Sequence, residues 1–165
     1  MSNSIFKKIE ELMVAEDYEK AREYLIEAIR KDPHNPEAHY LFGDVFCKLG
    51  DFENSIKELE TANSLLPQNP QIIHLLGWAS FMNKDINRGR KLMEAALSVM
   101  PDDIHLLCDL AVLEMNDANI KALEYSEKAM KINPHDPMVK EVFMVTNKFH
   151  QAREKDFWSL LLKME

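Results

Sequence analysis

The side chains best suited to chemistry in this 165-residue chain are six histidines and two cysteines. No two histidines are three or four residues apart, the spacing at which a helix presents two imidazoles to one metal ion. His39 stands two helical turns before Cys47, too far to be the adjacent base that a nucleophilic cysteine needs. The glycines form no GxGxxG or GxxxxGK[ST] phosphate loop. We therefore expect no catalytic residue, cofactor or metal ion, and expect the imidazoles to face solvent or line a groove.

The composition narrows the class of partner. Lys and Arg number 20 and Asp and Glu number 28, a net charge of −8, which disfavours nucleic acids and anionic lipid surfaces. The uncharged stretch that ends at Asn83 is interrupted by Pro67 and Pro70, so we expect no membrane insertion. The charged N-terminal residues lack the apolar core of a signal peptide, and two cysteines suit a reducing compartment. These features together predict a cytoplasmic location.

Small residues and prolines recur along the chain with a nearly constant period. The prolines are 34, 34 and 33 residues apart, at Pro33, Pro67, Pro101 and Pro134. An alanine stands five residues before each of them, at Ala28, Ala62, Ala96 and Ala129. This period indicates one helical hairpin copied four times. We expect Gly43 to face Ala62, so that the two helices of its hairpin approach closely.

The repeated residues resemble the tetratricopeptide repeat family, whose unit is a 34-residue helical hairpin. The resemblance implies an all-α solenoid of four hairpins and a C-terminal capping helix. The predicted helices are 3–14, 18–31, 36–49, 52–65, 70–82, 86–99, 103–115 and 119–131. The predicted division is 1–135 for the four repeats (2–35, 36–69, 70–103 and 104–136) and 136–165 for the capping helix and an apolar tail.

Two departures from the family pattern stand out. His39 occupies a position where the family has a large aromatic residue near the start of the first helix. The fourth repeat is one residue short in its turn, at residues 115–118. A further departure lies in repeat one, which has Lys8-Ile9 where the others have an apolar residue followed by a small one. We expect looser packing at the two ends of the repeat array.

In this family the first helix of each hairpin lines a concave groove. The positions of this chain that match the groove and carry our prediction are Phe6, Met13, Tyr40, Asp44, His74, Trp78, Phe81, Met82, Val112 and Met115. Glu10, Glu37 and Gln71 are polar members of the same pattern. No frame of three repeats offers the Lys/Asn/Arg set with which some relatives hold a peptide carboxylate. The apolar strip instead predicts an apolar peptide or an amphipathic helix as ligand, with Trp78, Phe81 and Met82 as its densest part.

Two functions remain open from the sequence. In the first, the chain is a non-catalytic adaptor or chaperone that binds an apolar segment of another protein. In the second, it is a self-assembling scaffold, a homo-oligomer whose groove or tail makes the contact. The predicted tail contacts share one helical face, at Phe157, Trp158, Leu161 and Met164. The polar run 151–155 before them is either a continuing helix or a hinge.

Overall fold

The computed structural model describes the backbone of residues 2–116 and 120–161, and the side chains of residues 5–115 and 120–153. Within these ranges the chain forms nine α-helices and no β-strand. The helices are α1 Ser2–Val14, α2 Tyr18–Lys31, α3 Pro36–Lys48, α4 Phe52–Leu65, α5 Pro70–Met82, α6 Ile86–Val99, α7 Ile104–Asn116, α8 Lys121–Ile132 and α9 Pro137–Leu161. The repeat helices begin and end within two residues of the predicted bounds. This confirms an all-α fold of repeated hairpins.

The turns inside the first three hairpins share one construction. Each has a residue with a positive φ angle of 57–77° followed by an aspartate, at Glu16-Asp17, Gly50-Asp51 and Lys84-Asp85. The aspartate N–H donates to a carbonyl five residues back at 2.9 Å, which closes the end of the first helix. The aspartate carboxylate then accepts a backbone N–H of the second helix. One residue thus ends one helix and caps the next.

Asparagine followed by proline opens the first helix of the second and third hairpins. Asn35 and Asn69 cap α3 and α5, and Pro36 and Pro70 occupy the first helical position. Proline suits this position because its missing N–H would have no partner inside the helix anyway. Pro33 and Pro67 lie in the turns just before these caps, so they separate hairpins as the sequence predicts.

The chain divides into two compact units, Met1–Leu92 and Met93–Glu165. In the N-terminal unit, one buried cluster joins α1, α2 and α3 through Ile9, Leu25 and Val45. A second cluster joins α4 and α5 through Leu59 and Leu76. These two clusters hold α1, α3 and α5 in place and so position the residues that each helix leaves at the surface.

The close approach at Gly43 differs from our prediction. A Cβ atom at Gly43 would lie 2.5 Å from Cγ of Leu59, so Gly43 faces Leu59 and not Ala62. Ser55 Oγ donates to the Gly43 carbonyl at 2.8 Å. Ala62 is fully buried. The repeat period identifies which positions are small, but it does not give the rotation of one helix against its partner.

The C-terminal unit has its own buried cluster around Leu107, Cys108 and Val139. Ser126 and Thr146 share a buried hydrogen bond of 2.7 Å that joins α8 to α9. The α9 backbone runs through the polar segment 151–155 to Leu161 as one helix, so that segment is a continuing helix and not a hinge. In the described ranges, no helix combines the length and the apolar character that crossing a bilayer requires.

Candidate functional site

The predicted groove residues of the N-terminal unit form what we call the groove face. Its members are Phe6 and Met13 on α1, Tyr40 and Asp44 on α3, and His74, Trp78, Phe81 and Met82 on α5. On each helix the spacing of about three, four or seven residues places them on the same side. Every member is half-buried, neither withdrawn into the core nor fully exposed.

The half-burial of the groove face has identified contacts. Phe6 and Met13 pack against the buried cluster that contains Ile9 and Leu25. Tyr40 packs against the cluster of Leu59, Leu76 and Ala79. The inner part of these three side chains thus supports the core, and the rest of each is partly exposed.

Asp44 is the charged member of the groove face. Burial raises the pKa of its carboxyl group, and the ammonium group of Lys48, one turn further along α3, acts in the opposite direction. Burial, and then the Asp44 charge, raises the pKa of the Tyr40 hydroxyl. The Asp44 carboxyl group has therefore lost part of its water without gaining a full ion pair.

The cysteines are not activated as nucleophiles. The Ser55 hydroxyl donates its hydrogen bond to the Gly43 carbonyl. The Cys47 thiol is therefore the donor in the 3.1 Å contact with Ser55 Oγ. Burial raises the pKa of Cys47. Burial, followed by the Asp109 and Asp136 charges, raises the pKa of Cys108 to about 11. Both thiols stay protonated near neutral pH, whereas the thiolate is the nucleophile.

A cavity of about 340 Å³ opens where α1, α3 and α5 meet in the N-terminal unit. Its lining comprises Glu10, Pro36, Glu37, Tyr40, Leu41, Leu66, Asn69, Gln71 and Ile72. Three of these, Glu10, Glu37 and Gln71, are the polar groove positions that the sequence indicated. Leu66 and Asn69 come from the turn between α4 and α5, which no groove pattern includes. The volume is within the range of about 300–1,000 Å³ that is typical of ligand pockets.

The aromatic cluster of α5 belongs partly to the core. The Trp78 and Phe81 rings lie 5.6 Å apart and are tilted by 55°. A Cβ atom at Gly89 would lie 2.9 Å from Cβ of Phe81, so the base of Phe81 is packed tightly against α6. Trp78 is therefore a better candidate for ligand contact than Phe81.

The remaining predicted site residues lie elsewhere. In the C-terminal unit Val112 is exposed, at 36%, and Met115 is half-buried. Three further apolar residues of α9, Met144, Val145 and Phe149, are also exposed. Of the predicted tail contacts, the side chains of Phe157, Trp158 and Leu161 and the whole of Met164 lie outside the described residues.

The prediction that the imidazoles face solvent or a groove is wrong for His39. This ring is buried, at 7% exposed, where its Nδ1 lies 2.7 Å from Glu58 Oε2 and its Nε2 lies 3.0 Å from the Pro33 carbonyl oxygen. Two polar tethers thus hold the ring that replaces the family's aromatic residue. Among the described side chains, no three His, Cys, Asp or Glu residues lie close enough together to hold a metal ion.

The fold matches known repeat proteins. A family model described as tetratricopeptide repeat matches residues 12–79. No curated protein matches the sequence. The family match and the hairpin register together support a tetratricopeptide repeat protein.

Solved structures give the same fold at low sequence identity. MamA 41-end from Desulfovibrio magneticus RS-1 is 19% identical with a TM-score of 0.75, over 97% of this chain and 93% of that one. Cut9–Hcn1, an APC/C hetero-tetramer, is 15% identical with a TM-score of 0.81, over 88% of this chain and 30% of that one. The first TPR of Spaghetti (RPAP3), bound to the HSP90 peptide SRMEEVD, is 17% identical with a TM-score of 0.66, over 72% of this chain and 94% of that one. The fold class is therefore an all-α repeat solenoid, the architecture of a protein-interaction module.

Proposed function

We propose that the groove face binds an apolar peptide or amphipathic helix of another protein, and that the chain is a non-catalytic adaptor or chaperone of the cytoplasm. The observation that carries this proposal is the half-buried aromatic surface of Tyr40 and Trp78 on neighbouring first helices. The Spaghetti repeat domain is bound to a peptide; we extend to this chain the mode of binding and not the identity of that peptide.

The energetics favour a ligand at this face. Covering apolar surface stabilises a complex by about 25 cal/mol per Å². Tyrosine and tryptophan are common among the few residues that dominate binding energies, partly because a rigid ring loses little conformational freedom. Trp78 already rests on Phe81, so ordering its ring on binding costs little additional entropy.

Trp78 can report on its own contact with a ligand. The chain has two tryptophans, so Trp158→Phe leaves Trp78 as the only indole. We expect its emission to shift to shorter wavelength when a synthetic amphipathic peptide is added, because the ligand removes water from the ring. An emission spectrum that stays constant at saturating peptide would contradict the proposal.

A pair of alanine variants tests the energy of the contact. Trp78→Ala should weaken binding of a fluorescein-labelled amphipathic peptide by about 30-fold or more, the loss typical of a dominant contact. Ile26→Ala is the matched control, because Ile26 is an apolar α2 residue that is 53% exposed and lies off the groove face. Both variants should keep their helical circular dichroism. Equal affinities for the two variants would exclude the groove face as the binding site.

Self-assembly is a second candidate, favoured by the exposed apolar residues of α9. Met144 is 50% exposed, Val145 42% and Phe149 36%. We infer that a second copy covers this surface, with the tail that begins beyond Arg153 adding to the contact. Light scattering over a concentration series should show a mass above the monomer for the full chain. Deleting residues 153–165, or introducing Val145→Ser with Phe149→Ser, should return it to the monomer; a full chain that is monomeric throughout would eliminate this candidate.

A further inference from the structure

The cavity between α1, α3 and α5 has an acidic rim. Glu10 and Glu37 both line it and are both exposed. Within the described residues neither carboxylate has an ion pair or a hydrogen bond to another side chain. Asp44 lies one turn beyond Tyr40 on the same side of α3, and its desolvated carboxyl group has Lys48 as its opposing charge. The wall of the cavity beside these carboxylates is apolar, formed by Leu41, Leu66 and Ile72 together with the Tyr40 ring.

The charges of α1 are sorted between two sides of the helix. Lys7 and Lys8 line a different cavity, together with Tyr24, Glu27 and Lys31. Lys8 is paired with Glu11 there, at 3.4 Å. Glu10 instead faces the cavity formed with α3 and α5. The lysines of α1 therefore do not neutralise the acidic rim.

The helix starts at this cavity are capped by neutral side chains. α3 and α5 both begin here, where a helix N-terminus carries roughly half a positive charge. Asn35 Oδ1 accepts from Ala38 N at 3.0 Å, and Asn69 Oδ1 accepts from both Gln71 N and Ile72 N, so these three backbone donors are not open to an anion. The charged side chains of the lining are the carboxylates of Glu10 and Glu37.

We propose that this cavity selects a basic amphipathic segment of a partner protein, which places an apolar side chain against Tyr40 and Leu41 and a Lys or Arg side chain beside Glu10 and Glu37. This inference rests on the proposed function and specifies the chemistry of the partner. A cation beside Glu10 and Glu37 gives these carboxylates the ion pair that they lack within the described residues. The face of the Tyr40 ring attracts the same cation. An acidic segment would meet like charges at the rim.

Three synthetic peptides test the charge preference. The first has one leucine face and one lysine face, the second has glutamate in place of every lysine, and the third is a scrambled form of the first. We expect the lysine peptide to bind at least about 10-fold more tightly than either of the others, and its affinity to fall as salt is added. The scrambled peptide controls for attraction to the net charge of −8, which does not depend on the order of residues.

Matched carboxylate variants locate the preference at the rim. Glu10→Gln with Glu37→Gln should weaken the lysine peptide roughly 3- to 10-fold, the range for two partly exposed ion pairs. Glu23→Gln with Glu127→Gln removes the same charge from exposed positions of α2 and α8 and should leave the affinity unchanged. Both pairs of variants keep the apolar wall of the cavity intact.

The outcomes separate this inference from the proposed function. Equal binding of the lysine and glutamate peptides, weakened for both by Trp78→Ala, would overturn the charge preference and leave the groove in place. Equal loss in the two pairs of glutamine variants would also overturn it, because the net charge alone would then account for binding. Binding of none of the peptides, with an unchanged Trp78 emission, would overturn the groove and the inference together.

Discussion

The hairpins α3–α4 and α7–α8 solve the same packing problem with different residues. In the first, Gly43 lies against Leu59, and a Cβ atom at Gly43 would reach 2.5 Å from the Leu59 side chain. The matching positions of the second hold Ala111 and Ser126, both fully buried. The residue on the first helix is larger in the second hairpin, Ala111 against Gly43, and the residue on the second helix is smaller, Ser126 against Leu59. The same two positions are thus buried in both hairpins although the residue types differ, so burial at these positions does not fix which residue fills them.

The surfaces of the two hairpins differ more than their interiors. Two repeat periods of 34 residues separate Tyr40 of α3 from Cys108 of α7, and Asp44 from Val112, so these residues occupy matching positions. At these positions α3 has a half-buried aromatic ring and a carboxylate, whereas α7 has a buried thiol and an exposed valine. Framework positions are set by packing, whereas surface positions are free to acquire a binding specificity.

The largest expected effect comes from removing Leu59. Leu59→Ala should destabilise the chain by about 2–5 kcal/mol, because it leaves a cavity in a fully buried site. Gly43→Ala alone should cost about 1–3 kcal/mol through overpacking. The two changes together should cost less than their sum, since the new methyl group occupies part of the space that Leu59 vacates. Urea unfolding followed by circular dichroism measures all three variants.

The double variant decides whether the two positions compensate one another. A cost equal to the sum of the single variants would show that Gly43 and Leu59 are independent. The volume argument would then fail, and the difference between the two hairpins would need another cause.

A smaller loss of stability is expected when the N-cap of α4 is removed than when Leu59 is removed, and none of that size is expected at the start of α8. Asp51 caps α4, whereas α8 follows Ile120, which makes no capping hydrogen bond. Asp51→Ala should cost about 1 kcal/mol, a fall in melting temperature of about 2–4 °C for a chain of this size. Ile120→Ala, at an exposed position, should change stability by less than about 0.5 kcal/mol. Equal losses would show that the α3–α4 turn does not depend on its cap.

The smallest effect concerns the carboxylate that α7 lacks. Asp44→Asn should slightly raise the stability of the ligand-free chain near neutral pH, because burial raises the pKa of Asp44 in the folded state and disfavours its charged form. A raised carboxyl pKa costs stability above that pKa, and the cost disappears as the pH falls below the ordinary value of 3.8.

Thermal unfolding between neutral pH and about pH 3.5 tests this sign, since the cost disappears over that range. The advantage of Asp44→Asn should shrink as the pH falls. Glu23→Gln is the control at an exposed carboxylate of α2, and it should change stability by less than about 0.5 kcal/mol. An Asp44→Asn variant that is less stable than the parent at neutral pH would show that Asp44 has a stabilising partner.

The sequence predicts the helices well because their ends are set by local chemistry. Asp17 and Asp51 cap helices, and Pro36 and Pro70 begin them. Residues next to each helix end are therefore enough to predict where it lies. The start of α8 is less accurate, at Lys121 against a predicted 119; the position that holds the capping aspartate in the other hairpins is Ala118 here.

Contacts between helices are where sequence reasoning fails. His39 pairs with Glu58, 19 residues away, and no period links the two positions. Gly43 faces Leu59 and not Ala62 because the period does not fix helix rotation. Of the candidate site, the groove positions follow from the repeat pattern, but the cavity also needs Leu66 and Asn69 from a turn outside that pattern. The site residues as a set stay a prediction.

The tight fit at Gly43 also restricts how such a chain can be recombined. A crossover inside a hairpin that joined α7 to α4 would set Ala111 against Leu59, and one that joined α3 to α8 would leave a void between Gly43 and Ser126. A crossover at the Asn69-Pro70 junction between hairpins transfers both members of a matched pair together. Exchange of gene segments that encode whole hairpins therefore preserves this pair, and the contact left to be rematched is the one between hairpins, such as Leu59 with Leu76.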